Sequence, residues 1–394
     1  MKIFTAIILA ALLVTSFIAF TLHERLCLAQ EARQRDAAIN WAVSDCFSAA
    51  HTLDKLFTNT EFTTILFAQR VKEAYLYGDK NNPMERNIFF FADFASKETA
   101  PSSADYADAY EDTIVDFQNL SFHVPDGYDP KKFEPGLRVF FPLKDFISQI
   151  LLYSGSEQSA KFEGNTDRLI EKSAKEGMPV HWVYFALPNG VQVCYPANDR
   201  YSEGYDSRTG EWYRGAVKEH GLTVWGNPYR DTGDVGDVVI TCSAAFFESE
   251  KAQKELGVAA IDVSLKDIRN KMSILGNKEI GFVIEKSLVS EEGKVIINFI
   301  NPEFAKSGKS GDSIVTALAE DEEFVKPGFA PDVWQTISGR PVGMYPKREH
   351  GEEVIYVFSR IGTRNWVYVE KLLLRALIDH KGKELKDDSD DNGN

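Results

Sequence analysis

The feature that most constrains this fold is a run of apolar and small side chains spaced four and three residues apart without a break. It consists of Ile39, Val43, Cys46, Ala50, Leu53, Phe57, Thr60, Thr64, Phe67, Val71 and Ala74. This spacing predicts one long helix with a heptad seam, roughly 50 Å long at a rise of about 1.5 Å per residue. We expect the helix to end at Tyr77-Gly78, shortly before Asn81-Asn82-Pro83. The seam can pack on the chain's own sheets or on a partner's helix, and both options remain open.

A second apolar segment precedes this helix. Residues 3–22 contain no charged side chain and follow Lys2. About 20 such residues are enough to cross a bilayer as one helix, so residues 1–29 are predicted to be an uncleaved membrane anchor. The alternative is a cleaved signal peptide, for which Cys27-Leu28-Ala29 offers a small-residue cleavage site. In both cases the remainder of the chain is exported.

Composition excludes several classes of function. A net charge of −15 over 394 residues, with no basic stripe, argues against a nucleic-acid partner. Four cysteines are too few for a disulfide framework; Cys194 and Cys242 are expected to be buried free thiols, with a cross-sheet disulfide as the alternative. No motif of a hydrolase, kinase or nucleotide-binding enzyme is present. We therefore expect no enzymatic activity and no cofactor.

The pattern of strands predicts two successive α+β units. In the first, Trp182–Ala186 and Val191–Tyr195 flank Pro188-Asn189-Gly190, a strong hairpin signal. A helix at Glu211–His220, strands at Leu222–Trp225, Val238–Phe247 and Val258–Val263, and a helix from Ser264 to Met272 follow. The second unit has strands at Glu279–Lys286, Lys294–Ile300, Glu353–Arg360 and Trp366–Glu370, with a helical patch at Thr316–Val325. The fold class is α+β, with small antiparallel sheets in tandem.

These elements divide the chain as follows. The segments are the anchor (1–29), the long helix (30–80), a weakly patterned region (81–180), a first sheet module (181–275), a second sheet module (276–375) and an acidic tail (376–394). Within the weakly patterned region, Asp105–Leu120 and Leu143–Tyr153 are predicted to be helical. The tail is expected to be disordered beyond a short helix, because Asp387-Asp388-Ser389-Asp390-Asp391 is strongly polar.

Carboxylates and aromatic rings recur between Tyr205 and Asp262. Asp262 lies inside an apolar strand, where a carboxylate without a partner is unfavourable. Its partner is a small cationic ligand, bound with help from the faces of Trp212, Tyr213 and Tyr229, or a side chain such as Arg208, Arg214 or Arg230, or a backbone loop to which Asp262 hydrogen-bonds. Trp212 and Tyr213 can equally be core residues.

Asp231 has two possible roles of its own. It can bind the same ligand, or cap the turn Asp231-Thr232-Gly233-Asp234. Asp231, Asp234 and Asp237 do not have the alternate-residue spacing of a calcium loop, so no metal site is predicted.

The same residues resemble a known family. Gly204-Tyr205-Asp206-Ser207-Arg208 with Trp212-Tyr213, then Tyr229-Arg230-Asp231, then Gly257–Leu265, is similar to the double Cache (dCache) extracytoplasmic sensor domains of bacterial chemoreceptors and sensor kinases. The resemblance covers roughly residues 30–375, including Gly362–Val369. It implies two PAS-like modules along the first helix, a membrane-distal one that binds the ligand and a membrane-proximal one. It also implies a bacterial inner-membrane protein with its sensor in the periplasm or extracytoplasmic space.

The resemblance also implies roles for residues. In amino-acid-binding members, the residues matching Tyr229, Asp231 and Asp262 hold the ligand's amino group, whereas Trp212 and an arginine two positions before it hold the carboxylate. Here Gly210 stands at the arginine position. The predicted ligand is therefore a small amine or amino acid, with an amine favoured. The predicted binding residues are Tyr205, Arg208, Trp212, Tyr213, Tyr229, Asp231 and Asp262.

Family members continue into a signalling module where this sequence stops, so signalling is expected to require a separate protein; the alternative is a truncated or stand-alone binding protein. A homodimer is a further possible assembly. The alternative to a sensor is a ligand-free interaction module that dimerises through its long helix.

Overall fold

The computed structural model of the chain describes residues 2–79, 87–111, 113–125, 127–155, 165–201, 204–231, 238–249, 251–252, 254–275, 280–302, 304, 326–327 and 329–391. Side chains are described in these ranges except at 2–14, 131, 135, 280, 326–327 and 383–391. The α-helices are Lys2–Tyr77 (α1), Glu134–Leu137, Lys144–Leu152, Thr166–Glu176, Glu211–Lys218, Leu265–Ile274, Pro331–Ser338 and Leu374–Asp391.

The strands are, in chain order, Phe89–Phe90 (β1), Asp105–Ala107 (β2), Thr113–Val115 (β3), Ser121–His123 (β4), Val180–Ala186 (β5), Gln192–Tyr195 (β6), Thr223–Trp225 (β7), Tyr229–Arg230 (β8), Val238–Phe247 (β9), Glu255–Ser264 (β10), Val283–Val289 (β11), Lys294–Ile300 (β12), Lys326–Pro327 (β13), Val342–Glu349 (β14), Glu352–Ile361 (β15) and Trp366–Leu373 (β16).

The chain forms two compact units. We call residues 52–273 the central module, and residues 2–51, 274–304 and 327–391 the flanking module. Each module has one large β-sheet and the central module also contains the two-stranded sheet of β2 and β3, which agrees with the α+β prediction. The weakly patterned region 81–180 belongs to the central module, because β1 and β4 are part of its sheet.

The sheet of the central module has the strand order β1-β4-β6-β5-β10-β9-β7 among the described residues, with β8 also paired to β9. All pairs are antiparallel except β1 with β4. The predicted hairpin joins β5 to β6. Gly190 has a φ of +85° in its turn, and the amide of Leu187 donates to the carbonyl of Val191 at 2.8 Å. This turn fixes the register of the two strands at the middle of the sheet.

The predicted seam of α1 is buried within each module. In the central module, Leu53, Phe57, Phe67 and Val71 are fully buried. The ring of Phe67 meets that of Phe185 edge to face, with the centroids 6.1 Å apart. In the flanking module, Cys46 is fully buried. The seam therefore packs on the chain's own sheets, which is one of the two options that its spacing allows.

The sheet of the flanking module has the order β13-β12-β11-β16-β15-β14 in the described part of the chain. A buried polar pair lies at its centre, because Lys286 on β11 and Glu370 on β16 are partners in register. The hydroxyl of Tyr368 donates to Glu370 at 2.7 Å, and the Lys286 ammonium donates to the carbonyl of Leu275. Burial raises the pKa of Glu370 to about 7.

Three segments differ from the sequence prediction. The region predicted as a helix at Asp105–Leu120 contains β2 and β3 instead, which pair with each other. The acidic tail predicted to be disordered continues the helix Leu374–Asp391. β14 and the helix Pro331–Ser338 carry no clear sequence signal, whereas the helical patch predicted at Thr316–Val325 lies outside the described residues.

The predicted membrane anchor can be compared with the structure only in part. No helix long and apolar enough to span a membrane occurs among the residues whose side chains are described. Residues 1–14, a large part of the predicted anchor, lie outside those residues.

Candidate functional site

A cavity of about 300 Å³ lies in the central module. It is lined by Tyr184, Arg200, Tyr201, Tyr205, Gly210, Glu211, Trp212, Gly226, Asn227, Pro228, Tyr229, Asp231 and Thr241. A larger groove of about 630 Å³ runs beside α1, but its charged lining residues are two lysines, Lys55 and Lys271. The smaller cavity is the candidate site because it adjoins buried charges of both signs.

One face of the sheet forms the floor of this cavity. Asp262 on β10 is opposite Trp182 on β5 and opposite Thr241 on β9, and directly opposed residues of antiparallel strands point to the same side. Tyr184, two positions after Trp182, shares that face. The alternate residues of β5 point to the other face, where Phe185 meets α1. The period-2 alternation of three central strands thus collects the polar and aromatic groups on one side.

Asp262 is completely buried and held by two hydroxyls. Tyr184 donates to its Oδ1 at 2.9 Å and Thr241 donates to the same oxygen at 2.7 Å. The Thr241 proton is used in that bond, so the hydroxyl of Tyr229, 2.9 Å from Thr241 Oγ1, is the donor of the next bond. Asp262 does not itself line the cavity, but this chain of hydroxyls connects it to Tyr229 on the cavity wall.

The group opposite the carboxylates is Arg200. Its Nη1 pairs with Asp231, and its Nη2 lies 3.6 Å from Asp262 Oδ2. The indole of Trp182 also donates to Asp231 Oδ2, at 2.6 Å. The side chain of Arg200 is only 6% exposed and that of Asp231 9%. The positive group predicted opposite Asp262 is therefore present as a side chain, although it is none of the three arginines considered from sequence.

Aromatic rings enclose the guanidinium of Arg200. Its central carbon lies 4.1 Å from the ring centroid of Trp182 and 4.8 Å from that of Tyr201. Nη2 donates to the hydroxyl of Tyr201 at 2.7 Å. Burial by itself would lower the pKa of Arg200, but the attraction of Asp231 and its other neighbours raises it above its usual value. Arg200 is thus a permanently charged cation in an aromatic and acidic cage.

The protonation of Asp262 responds to the same surroundings. Burial raises its pKa to about 7, although Arg200 and the hydroxyls of Thr241 and Tyr184 act in the opposite direction. With both carboxylates ionised, Arg200, Asp231 and Asp262 carry one net negative charge. Glu211 adds another carboxylate to the cavity wall. The site therefore has an excess of negative charge when Asp262 is ionised, whereas Arg200 and Asp231 balance each other when Asp262 is protonated.

The structure brings together five of the seven residues predicted for the site. Tyr205, Trp212, Tyr229 and Asp231 line the cavity, and Asp262 lies behind it. The Trp212 ring is packed edge to face against Tyr184, with the centroids 5.0 Å apart, so it serves the core and the cavity at once.

The other two predicted residues do not line the cavity. Tyr213 is near Glu255, to which its hydroxyl donates at 3.3 Å. Arg208 pairs with Asp206 at 2.6 Å, and 39% of its side chain is exposed. Asp234 and Asp237 lie outside the described residues. No group of three or more acidic, histidine or cysteine side chains that would hold a metal ion occurs in the described ranges.

Sequence reasoning missed Arg200, Trp182, Tyr184, Tyr201 and Thr241. Trp182, Tyr184 and Thr241 had a usable signal, because they occupy the same strand face as Asp262 once the antiparallel register is known. Arg200 and Tyr201 had none, since they follow β6 in a segment without a strand or helix pattern. Cys194 and Cys242 are buried free thiols, which confirms the first of the two alternatives for them.

The packing around position 210 explains why a glycine occupies it. A Cβ atom at this position would lie 2.6 Å from Nε1 of Trp212 and 2.8 Å from its Cδ1. The indole therefore occupies the space into which any side chain at position 210 would extend. The absence of an arginine here and the position of Trp212 are consequences of the same packing.

Comparison with known proteins defines the class. Residues 184–270 match the family model described as "Methyl-accepting chemotaxis protein-like, first PDC sensor domain". This range includes all of the cavity-lining residues together with β9 and β10. Over residues 184–270 the chain is therefore similar to a PDC sensor domain of chemotaxis receptors, which confirms the predicted resemblance for this part of the sequence.

Two curated chemoreceptors are similar to the chain. The first is methyl-accepting chemotaxis protein McpC of Bacillus subtilis strain 168, which is 23% identical over 204 residues, or 51% of this chain and 29% of McpC. The second is methyl-accepting chemotaxis protein TlpB of the same strain, which is 26% identical over 153 residues, or 36% of this chain and 21% of TlpB. The matched part of the chain spans less than a third of either relative. A similar solved structure is the sensory domain of the Campylobacter jejuni chemoreceptor Tlp3 (CcmL) with isoleucine bound, at 12% identity and a TM-score of 0.45, over 89% of this chain and 97% of that one.

Proposed function

We propose that the chain is an extracytoplasmic sensor that binds a small amine or amino acid in the cavity of the central module. The observation that carries this proposal is a cavity with aromatic walls beside two buried carboxyl groups and one arginine, within a region similar to the sensor domain of chemotaxis receptors. A volume of about 300 Å³ suits a small metabolite.

The charge of the site favours a ligand with an amino group. Asp231 and Asp262 are opposed by one arginine only, so a cation entering the cavity is attracted. Tyr205, Trp212 and Tyr229 line the cavity, and an aromatic face in contact with a cation contributes about 0.5–2 kcal/mol. A ligand carboxylate has less support, because Gly210 supplies no side chain. An amine without a carboxylate is therefore the preferred ligand.

The sensor is proposed to be held at the bacterial inner membrane by residues 3–22, which carry no charge. The sensory modules then lie on the extracytoplasmic side, where small metabolites are encountered. Its signal is proposed to pass to a chemotaxis-type signalling protein, as the similarity of the sensor domain to that of methyl-accepting chemotaxis proteins suggests.

Thermal-shift measurements on the purified full chain test the ligand class. The probes are propylamine, propionate and alanine, which differ in their charged groups. We expect propylamine to raise the melting temperature most, and Asp231→Asn to abolish the rise. Asp145→Asn is the matched control, because Asp145 is 78% exposed and does not line the cavity. A rise with propionate alone, or an unchanged response of Asp231→Asn, would contradict the assignment.

The rival function is a ligand-free assembly module that dimerises through the long helix. The seam residue Leu53 is buried in the chain's own core, so a dimer would use exposed apolar residues of α1, such as Phe62, Ile65 and Leu66 in the central module. Light scattering of Phe62→Glu distinguishes the two functions. Loss of a dimer together with an absence of any ligand response would favour the rival.

A further inference from the structure

The position that an amine ligand would take is already filled by a cation of the chain itself. Arg200 lies between Asp231 and Asp262, with Trp182 and Tyr201 on its flanks. Carboxylates and ring faces around a positive group are the features that recognise a cationic ligand. The guanidinium of Arg200 therefore indicates which kind of cation this cage of carboxylates and rings accepts.

A second cation has no equivalent place beside Arg200. Two like charges in contact repel each other strongly where water is largely excluded, because the effective dielectric constant there is low. Asp231 is engaged by Arg200 and Trp182, and Asp262, which does not line the cavity, has Arg200 Nη2 3.6 Å from its Oδ2. A ligand cation that is to pair with these carboxylates must therefore replace the guanidinium.

The contacts of Arg200 allow such a replacement. Its Nε has no hydrogen-bond partner among the described residues, and neither has Oδ2 of Asp262. Its backbone amide is held separately, by the side chain of Asn198 at 3.1 Å. Movement of the long side chain can therefore free the cage while the backbone keeps its place. Arg200 lines the cavity, so its side chain is adjacent to the space from which a ligand would arrive.

We infer that Arg200 is an internal competitor of the ligand, and that the ligand's cation is a planar guanidinium-type group that takes the place of Arg200 between Trp182 and Tyr201. This inference rests on the proposed function and names its ligand more narrowly. The planar shape follows from the occupant, whose central carbon lies 4.1 and 4.8 Å from the two ring centroids. A guanidinium replaces another one without loss of stacking, whereas a tetrahedral ammonium makes fewer ring contacts.

Calorimetric titration of the full chain tests this inference with three probes. Ethylguanidinium carries the planar cation, ethylammonium carries a tetrahedral one, and ethylurea is the neutral isostere of the first. We expect ethylguanidinium to bind Arg200→Gln roughly tenfold more tightly than it binds the unmodified chain, because the competitor is gone and a tenfold change corresponds to a modest difference in free energy. Arg208→Gln is the matched control, since Arg208 is an arginine outside the cavity, and its affinity should equal that of the unmodified chain. Ethylurea should not bind to the unmodified chain or to either variant.

The outcomes separate this inference from the proposed function. If Arg200→Gln binds ethylguanidinium no more tightly than the unmodified chain, or binds ethylammonium equally well, the inference is wrong while the proposed function stands. If neither chain binds any cation, both fail.

Arg200→Gln removes a buried counter-charge and can fail to fold, so a second measurement uses the unmodified chain. The Nε–H signal of Arg200 in a ¹⁵N-resolved spectrum should move towards that of a solvent-exposed arginine as ethylguanidinium is added. A signal that does not move at saturation with the probe overturns the displacement.

Discussion

Replacing Asp262 by asparagine is expected to make the stability of the central module less dependent on pH. The Asp262→Asn variant keeps a side-chain oxygen for the hydroxyls of Tyr184 and Thr241, at present 2.9 and 2.7 Å from Oδ1, while removing the ionisable group. Arg200 keeps its partner Asp231 in the variant. The substitution therefore changes the titration of the site and little of its packing.

The magnitude follows from the pKa of Asp262. The folded state raises it from 3.8 to about 7, chiefly through burial, so the protonated form is favoured by folding. The stabilising contribution of protonated Asp262 to the free energy of unfolding is fully present below pH 3.8 and is lost as the pH rises through about 7. This is the sign expected for a carboxyl group whose pKa is raised by folding. The whole difference corresponds to about 4 kcal/mol, of which about 2–3 kcal/mol falls between roughly pH 5 and pH 8.

Urea unfolding followed by tryptophan fluorescence measures this effect. The unmodified chain should lose about 2–3 kcal/mol more stability than Asp262→Asn when the pH is raised from about 5 to about 8. The exposed-site variant Asp145→Asn should behave like the unmodified chain, since Asp145 is 78% exposed. Equal losses for Asp262→Asn and the unmodified chain would refute the argument that burial dominates this carboxyl.

Three other substitutions test separate parts of the structure. Gly210→Ala should lower stability by about 1–3 kcal/mol and change the tryptophan emission spectrum, because its Cβ meets the indole of Trp212; an unchanged spectrum would contradict this packing. Glu370→Gln should reduce the loss of stability of the flanking module between about pH 5 and pH 8, measured by urea unfolding, because burial raises the pKa of Glu370 to about 7. Trp182→Phe should destabilise the chain by about 1–3 kcal/mol in the same assay, since it leaves Asp231 without the 2.6 Å bond from the indole; a neutral result would show that Arg200 alone satisfies this carboxylate.

Much of the architecture is readable from local patterns. The strand Val238–Phe247 has the boundaries that its sequence predicts, and the Asn189-Gly190 turn locates the hairpin of β5 and β6. Strong alternation and turn residues report on local conformation directly. The helix predicted at Asp105–Leu120 is wrong because the short strands there, β2 and β3, are stabilised by pairing with each other and not by a sequence pattern.

Some features of the candidate site were likewise predictable from the sequence, and others were not. The sequence by itself determined that Asp262, inside an apolar strand, needs a polar or positive partner, because a buried carboxylate without one is unstable. It also determined that Trp212, Tyr229 and Asp231 approach that carboxylate, through the family pattern that they share. Only the tertiary structure decided that the partner is Arg200, from a segment with no regular pattern, and that Trp212 fills the space beside Gly210. The physical reason is that a long side chain on an irregular segment is directed by the packing of distant strands, which no local spacing encodes.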